Sequence, residues 1–160
     1  MTGLLFTLPF RPILAPDSHS YLAGADNFPS SIDGGWWGYV GFVGLLRVGL
    51  TLGSGPMFCV IVNSLGVIAA ALALLQLGRR YSGEVAGWVA ATFYLLHPLV
   101  NQWTRYVLTE TLFFAGVVLT AYCLGRAIDL DRRTWSPLWL VAGLTFTLRP
   151  NGIFLLGAVV

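Results

Sequence analysis

Met57 to Leu77 is an unbroken, uncharged apolar run of about twenty residues. At 1.5 Å rise per residue, a helix of that length crosses a hydrocarbon core of about 30 Å. An open strand edge cannot be satisfied against lipid, so a chain built around such a run folds as helices. Composition agrees: 56% of the 160 residues are hydrophobic and only 10% are charged, where a water-soluble domain carries roughly a quarter. All nine basic residues are arginines, spread along the chain, which gives no nucleic-acid surface. Cys59 and Cys123 sit inside apolar runs without partners at metal-ligand spacing and read as small buried hydrophobes. The glycines of "GGWWGYVG" follow no strand, so they make no dinucleotide fingerprint.

The expected fold is all-α, a polytopic membrane helix bundle with an outer-face interfacial helical loop, in a single transmembrane domain over 1–160. Residues 1–14 read as a partial first span, 15–56 as an outer loop with interfacial helices, and 57–77, 85–100, 108–124 and 137–148 as spans. A further span starts at 153–160, and the chain reads as the amino-terminal part of a longer protein. The stretch from Trp36 to Pro56 is apolar but rich in glycine and carries Arg47 near its middle. A lipid-facing helix centre accepts an arginine only at about 2.5–3.5 kcal/mol, which favours an interfacial or re-entrant segment. If it spans instead, Asp17 moves to the opposite side. Arginine bias in the short loops between spans sets the orientation: Arg79, Arg80, Arg126, Arg132 and Arg133 fall in one pair of loops, and the alternate turns hold one apiece, Arg105 and Arg149. The positive-inside rule places the first set in the cytoplasm.

That topology gathers three polar stretches at the outer face: "PDSHSYLAGADNF", "HPLVNQWTRYVLTE" and "TLRPNG". Ionisable groups near lipid are costly and commonly mark a ligand. Asp17 is the candidate catalytic group, since a partly desolvated carboxylate accepts a proton from an attacking hydroxyl; as a cap for the helix that follows, it would instead be structural. Arg105 and Arg149 oppose the orientation bias and suit a phosphate at the interface, although snorkelling to lipid headgroups explains either one alone. Glu110, after Thr109, reads as a helix start or as the holder of Arg105 or a sugar hydroxyl. Tyr21, Asp26 and Asn101 complete the candidate substrate contacts. His97, before Pro98, reads as a capping or packing residue.

The order and spacing of "PDS..Y", "GRRYSGEVAGWVAA", "HPLVNQWTRYVLTETLFF" and "GLTFTLRPNGIFLL" resemble the amino-terminal part of the integral-membrane type C glycosyltransferases. The likeness is to the branch holding dolichyl-phosphate-mannose protein mannosyltransferases and the aminoarabinose transferases of lipid A. It implies a multi-pass enzyme of a bacterial or archaeal cell membrane, moving a sugar from a polyprenyl-phosphate donor to an acceptor lipid, glycan or protein at the outer face, with inversion. Asp17 then matches the family's loop aspartate, the catalytic base, Glu110 the acid of its "TE" pattern and Arg149 the arginine of its "RP" pattern. Family members often carry a second acid directly after the loop aspartate. Here Ser18 stands in that place and Asp26 is the next acid, which leaves metal dependence open. The sequence offers no metal site, no cofactor beyond the lipid-linked sugar, and no nucleic-acid partner. The alternative is a transporter or flippase-like protein with the outer cluster as its gate, and a third reading is a membrane subunit without chemistry.

Overall fold

The computed structural model describes residues 11–34, 36–129 and 135–154. The partial span expected over 1–14 and the one starting at 153 fall largely outside these residues, as do Arg132 and Arg133. The described residues form seven α-helices: α1 (Pro16–Asp26), α2 (Val40–Thr51), α3 (Pro56–Ser82), α4 (Glu84–Leu96), α5 (Pro98–Thr104), α6 (Glu110–Asp129) and α7 (Trp135–Leu148). One isolated parallel bridge joins Ile13 to Tyr106, and no strand occurs among the described residues. The all-α membrane bundle read from the sequence is the fold observed. Helices α3 and α6 are long and apolar enough to cross a membrane; α4 and α7 are shorter apolar helices.

Helix α3 has 27 residues and stops at Gly83, whose φ of +94° is open to glycine but strained for other residues. The chain then reverses directly into α4. A Cβ on Gly78 would collide with the Cα of Gly87, and one on Gly87 would fall 2.5 Å from the Leu75 carbonyl. The two backbones therefore touch, as small residues allow between helices that gain nothing from leaving lipid. Arg79 closes the turn with a 3.0 Å ion pair to Glu84.

The stretch 85–100, expected as one span, is two helices. Pro98 lacks an N–H and disfavours helical geometry in the residue before it. His97 accordingly turns extended (φ −63°, ψ 123°), ending α4 and opening α5. The 13 residues of α4 rise only about 20 Å. After α5 an irregular segment, 105–109, leads to α6.

Helix α6 lies parallel to α3. Near one end Gly66 faces Leu112 and Ala115, and near the other Gly125 faces Leu77 and Tyr81. Helix α7 returns antiparallel to α6, with Gly116 against Thr145 and Leu138 in a buried cluster with Ala127. The start of α7 therefore lies with the end of α6, and its own end, Leu148, with Glu110.

The first two helices pack at this Glu110 end. Tyr21 and Ala25 of α1 join Phe42, Val43 and Leu46 of α2, Cys59 of α3, and Val107 and Leu112 in one core cluster. Helix α2 connects two neighbours: Gly41 packs on Thr147 of α7, and Gly49 on Phe58 of α3. Its 12 residues rise about 18 Å, well short of a hydrocarbon core. Arg47 does not face the core; its Nη1 donates to the Asp26 carbonyl at 3.2 Å.

Candidate functional site

The irregular segment before α6 sits inside an apolar bundle, where an unpaired carbonyl costs several kcal/mol. Four successive carbonyls all find donors. Asn63 Nδ2, fully buried on α3, donates to the carbonyls of Thr104 and Tyr106, both at 3.1 Å. The Ile13 N–H donates to the Arg105 carbonyl at 2.9 Å, and Ser18 Oγ to the Val107 carbonyl at 2.8 Å. In return the Val107 N–H donates to the Ile13 carbonyl at 3.1 Å. Chain from three regions of sequence thus clamps the residues that deliver Glu110.

Glu110 is the first residue of α6, where the helix dipole favours a carboxylate. Its Oε1 lies 3.2 Å from Arg149 Nη2, and both side chains are about three-quarters buried, with 22% and 29% exposed. Arg149 is fixed by its neighbours. It follows the last residue of α7, and its carbonyl accepts from the Gly152 N–H at 2.9 Å, closing the Pro150–Gly152 turn. That turn is packed closely: a Cβ on Gly152 would meet the Phe146 Cα at 2.6 Å, and one on Gly38 the Pro150 ring at 2.5 Å. The carboxylate occupies one edge of a guanidinium that carries five N–H donors, leaving others for a ligand.

Buried Thr109 extends the polar line away from Arg149. Its Oγ1 lies 3.5 Å from Glu110 Oε2, and its side chain is hydrogen-bonded to Tyr21. Burial, reinforced by Tyr39 and by the negative charges of Glu110 and Asp17, pushes the Tyr21 hydroxyl up to about 12; the Thr109 hydrogen bond opposes this. Tyr21 is therefore a neutral phenol at working pH and cannot serve as a base.

Asp17 lies one turn before Tyr21 in the first turn of α1, exposed, with no hydrogen bond or ion pair among the described residues. It is not the cap expected as its structural role. The N-cap is Ala15, and the capping work falls to Ser18, whose Oγ accepts from the Ala15 N–H at 2.9 Å. This gives a physical reason for the missing second acid. Position 18 must both accept from an amide and donate to the Val107 carbonyl, and an ionised carboxylate cannot donate.

Other candidates stand apart. Asp26 closes the far end of α1, about 13 Å along the helix from Asp17. Asn101 spends its amide on the carbonyls of Leu95 (2.7 Å) and His97 (3.4 Å), securing the bend between α4 and α5. Arg105 is half-buried on the clamped segment, and Arg149 pairs with Glu110. No group of three or more His, Cys, Asp or Glu side chains is placed to hold a metal ion among the described residues. Sequence reasoning missed the positioning roles of Ser18 and Asn63. A buried amide inside a twenty-residue apolar run was the available signal for Asn63, and Ser18 gave none.

These features define an integral membrane helix bundle with a carboxylate–guanidinium pair at one end, backed by a tyrosine and an uncommitted aspartate. The chain belongs to the dolichyl-phosphate-mannose-protein mannosyltransferase family, which it matches over residues 44–160. It is thus a membrane glycosyltransferase of the mannosyltransferase type. The match takes in Glu110 and Arg149 but begins after Asp17 and Tyr21. Comparison with curated proteins and with solved structures finds no match.

Two outcomes follow. Ser18→Ala removes a buried donor–acceptor relay and should destabilise the protein by about 1–3 kcal/mol, seen as a lower melting temperature in detergent; Ser18→Asp should be worse, and unchanged melting in both would contradict the clamp. Because Tyr21 holds its proton beyond the value of about 10 expected unfolded, its contribution to stability is complete below pH 10 and lost as pH rises toward 12. The 295 nm absorbance titration of the wild type minus Tyr21→Phe should have its midpoint near 12. A midpoint near 10 would contradict the burial.

Proposed function

We propose that this chain forms the donor end of a transferase that moves a sugar from a polyprenyl-phosphate carrier to an acceptor at the outer or lumenal face of the membrane. The observation that carries the reading is the Glu110–Arg149 pair, held at one end of an apolar bundle beside the helix bearing Asp17. The arginine bias of the loops supports an outward-facing site in a multi-pass protein.

The chemistry requires two things. The carrier phosphate leaves with developing negative charge, which needs a pre-placed cation, and the acceptor hydroxyl must lose a proton. Arg149, oriented by Glu110, meets the phosphate oxygens, with Arg105 as a second guanidinium from the clamped segment. Asp17 takes the proton as the acceptor oxygen attacks the anomeric carbon from the face opposite the departing phosphate, so configuration inverts. The bond from sugar to acceptor forms, the bond from sugar to phosphate breaks, and the carrier leaves as the polyprenyl phosphate. Tyr21, kept protonated, is available as a hydrogen-bond donor to the sugar.

In the full-length protein, Asp17→Asn should lower turnover by about 10²–10⁴-fold while leaving binding of the lipid-linked donor intact. Arg149→Ala should raise the donor KM, with Arg149→Lys recovering only part, because lysine lacks the planar fork. Turnover of Asp17→Asn at the wild-type rate would remove Asp17 from the mechanism. An unchanged donor KM in Arg149→Ala would remove the phosphate contact.

A further inference from the structure

At the end of the α3–α6 pair remote from Glu110, the two helices leave a cleft of about 400 Å³. It is lined by Gln76, Leu77, Arg79 and Arg80 of α3 and by Tyr122 and Arg126 of α6. Three of these six residues are arginines and none is acidic. Arg79 is turned toward α4, where its Nη2 binds Glu84 and its guanidinium carbon lies 5.3 Å from the Trp88 ring centroid, so it borders the cleft as a shared positive charge. The exposed Arg126 contacts the Tyr122 beneath it, with its guanidinium carbon 6.0 Å from the ring centroid and Nη1 3.4 Å from the phenol oxygen. The Tyr122 hydroxyl and the exposed Gln76 amide add neutral donors.

Arginines in a last helical turn also balance the helix dipole, and Arg79, Arg80 and Arg126 all occupy last turns. That role needs only positive charge directed at solvent. It does not account for arginines of two helices lining one cavity that has no acidic residue in its wall. The volume lies at the lower end of the range for small-ligand sites, enough for a compact headgroup. Depth fits as well. Arg126 is sixteen residues beyond Glu110 on α6, about 24 Å along the helix. If Glu110 lies at one headgroup layer, the cleft lies near the other, where lipid phosphates are concentrated, and basic pockets between membrane helices suit anionic headgroups.

We propose that this cleft is a second anion site, separate from the Glu110–Arg149 end, and that it binds a phosphate-bearing anion presented by an anionic lipid headgroup or by a soluble phosphate. Guanidinium forks take phosphate oxygens in bidentate fashion, while the Leu77 side chain offers an apolar wall to the glycerol or acyl portion of a lipid. The assignment does not depend on the transferase reading.

The test uses the purified full-length protein in neutral detergent, with melting temperature as readout. It is titrated separately with phosphatidylglycerol in mixed micelles, with phosphatidylcholine as control, and with inorganic phosphate. Two variants probe the cleft: Arg126→Gln removes an exposed guanidinium, and Gln76→Glu adds a repelling carboxylate at an exposed position. Neither residue packs in the core, so ligand-free melting should match the wild type. The wild type should show a saturable rise in melting temperature that phosphatidylcholine does not reproduce. Each variant should need roughly tenfold more ligand to reach half-saturation, as loss of one charged hydrogen bond predicts. A response to phosphatidylglycerol alone assigns the lipid headgroup, and a response to inorganic phosphate assigns a soluble anion. No saturable response to either, or equal half-saturation in the wild type and both variants, would overturn the proposal.

Discussion

Backbone satisfaction in an apolar setting is the constraint on which the rest depends. The chain leaves helical geometry after Thr104, and each carbonyl from 104 to 107 must still accept a hydrogen bond. Asn63 supplies two donors, Ile13 one and Ser18 one. The same four bonds therefore tie the segment after α5 to the start of α1 and the chain before it, and to the first third of α3. Glu110 inherits its position from that clamp, as does Thr109 at its side. Because Ser18 belongs both to the clamp and to the first turn of α1, Asp17 is set in register with Glu110 through a single residue.

Charge is divided between the two ends of the bundle in different ways. At the Glu110 end the Arg149 guanidinium is paired and largely shielded, so it is oriented before a ligand arrives. Pre-organised charge of this kind stabilises a developing anion without a reorganisation cost at the moment of reaction. At the Arg126 end the arginines are more numerous and line an open cleft. Between the two ends several contacts are glycine-mediated, as at Gly66 and Gly116. Close packing there keeps the ends at a fixed separation, set by the length of α6.

The long apolar runs were legible because lipid leaves a chain few options, and the helices at Pro56–Ser82 and Glu110–Asp129 sit where the uncharged stretches lie. The break at His97 was carried by Pro98 in plain view, yet the apolar character on both sides reads as one continuous span. Pairings were less legible. The sequence pointed to Glu110, Arg105 and Arg149, but which guanidinium meets the carboxylate depends on α7 returning antiparallel to α6, and that geometry leaves no trace in composition. The cap at Ala15 was hidden for a similar reason. An aspartate before a helix ordinarily caps it, and only the distant Val107 carbonyl makes Ser18 the better residue for that work.

The proposed arrangement puts α1 and the Glu110–Arg149 pair at one membrane face and the arginine cleft at the other. Single cysteines placed at the exposed positions His19, Asn151 and Ser82, with Cys59 and Cys123 replaced by alanine, can be reacted in intact cells with a thiol reagent that does not cross membranes. Labelling at 19 and 151 is expected from outside, and at 82 only after the membrane is opened. Labelling of 19 and 151 from opposite sides would contradict the arrangement.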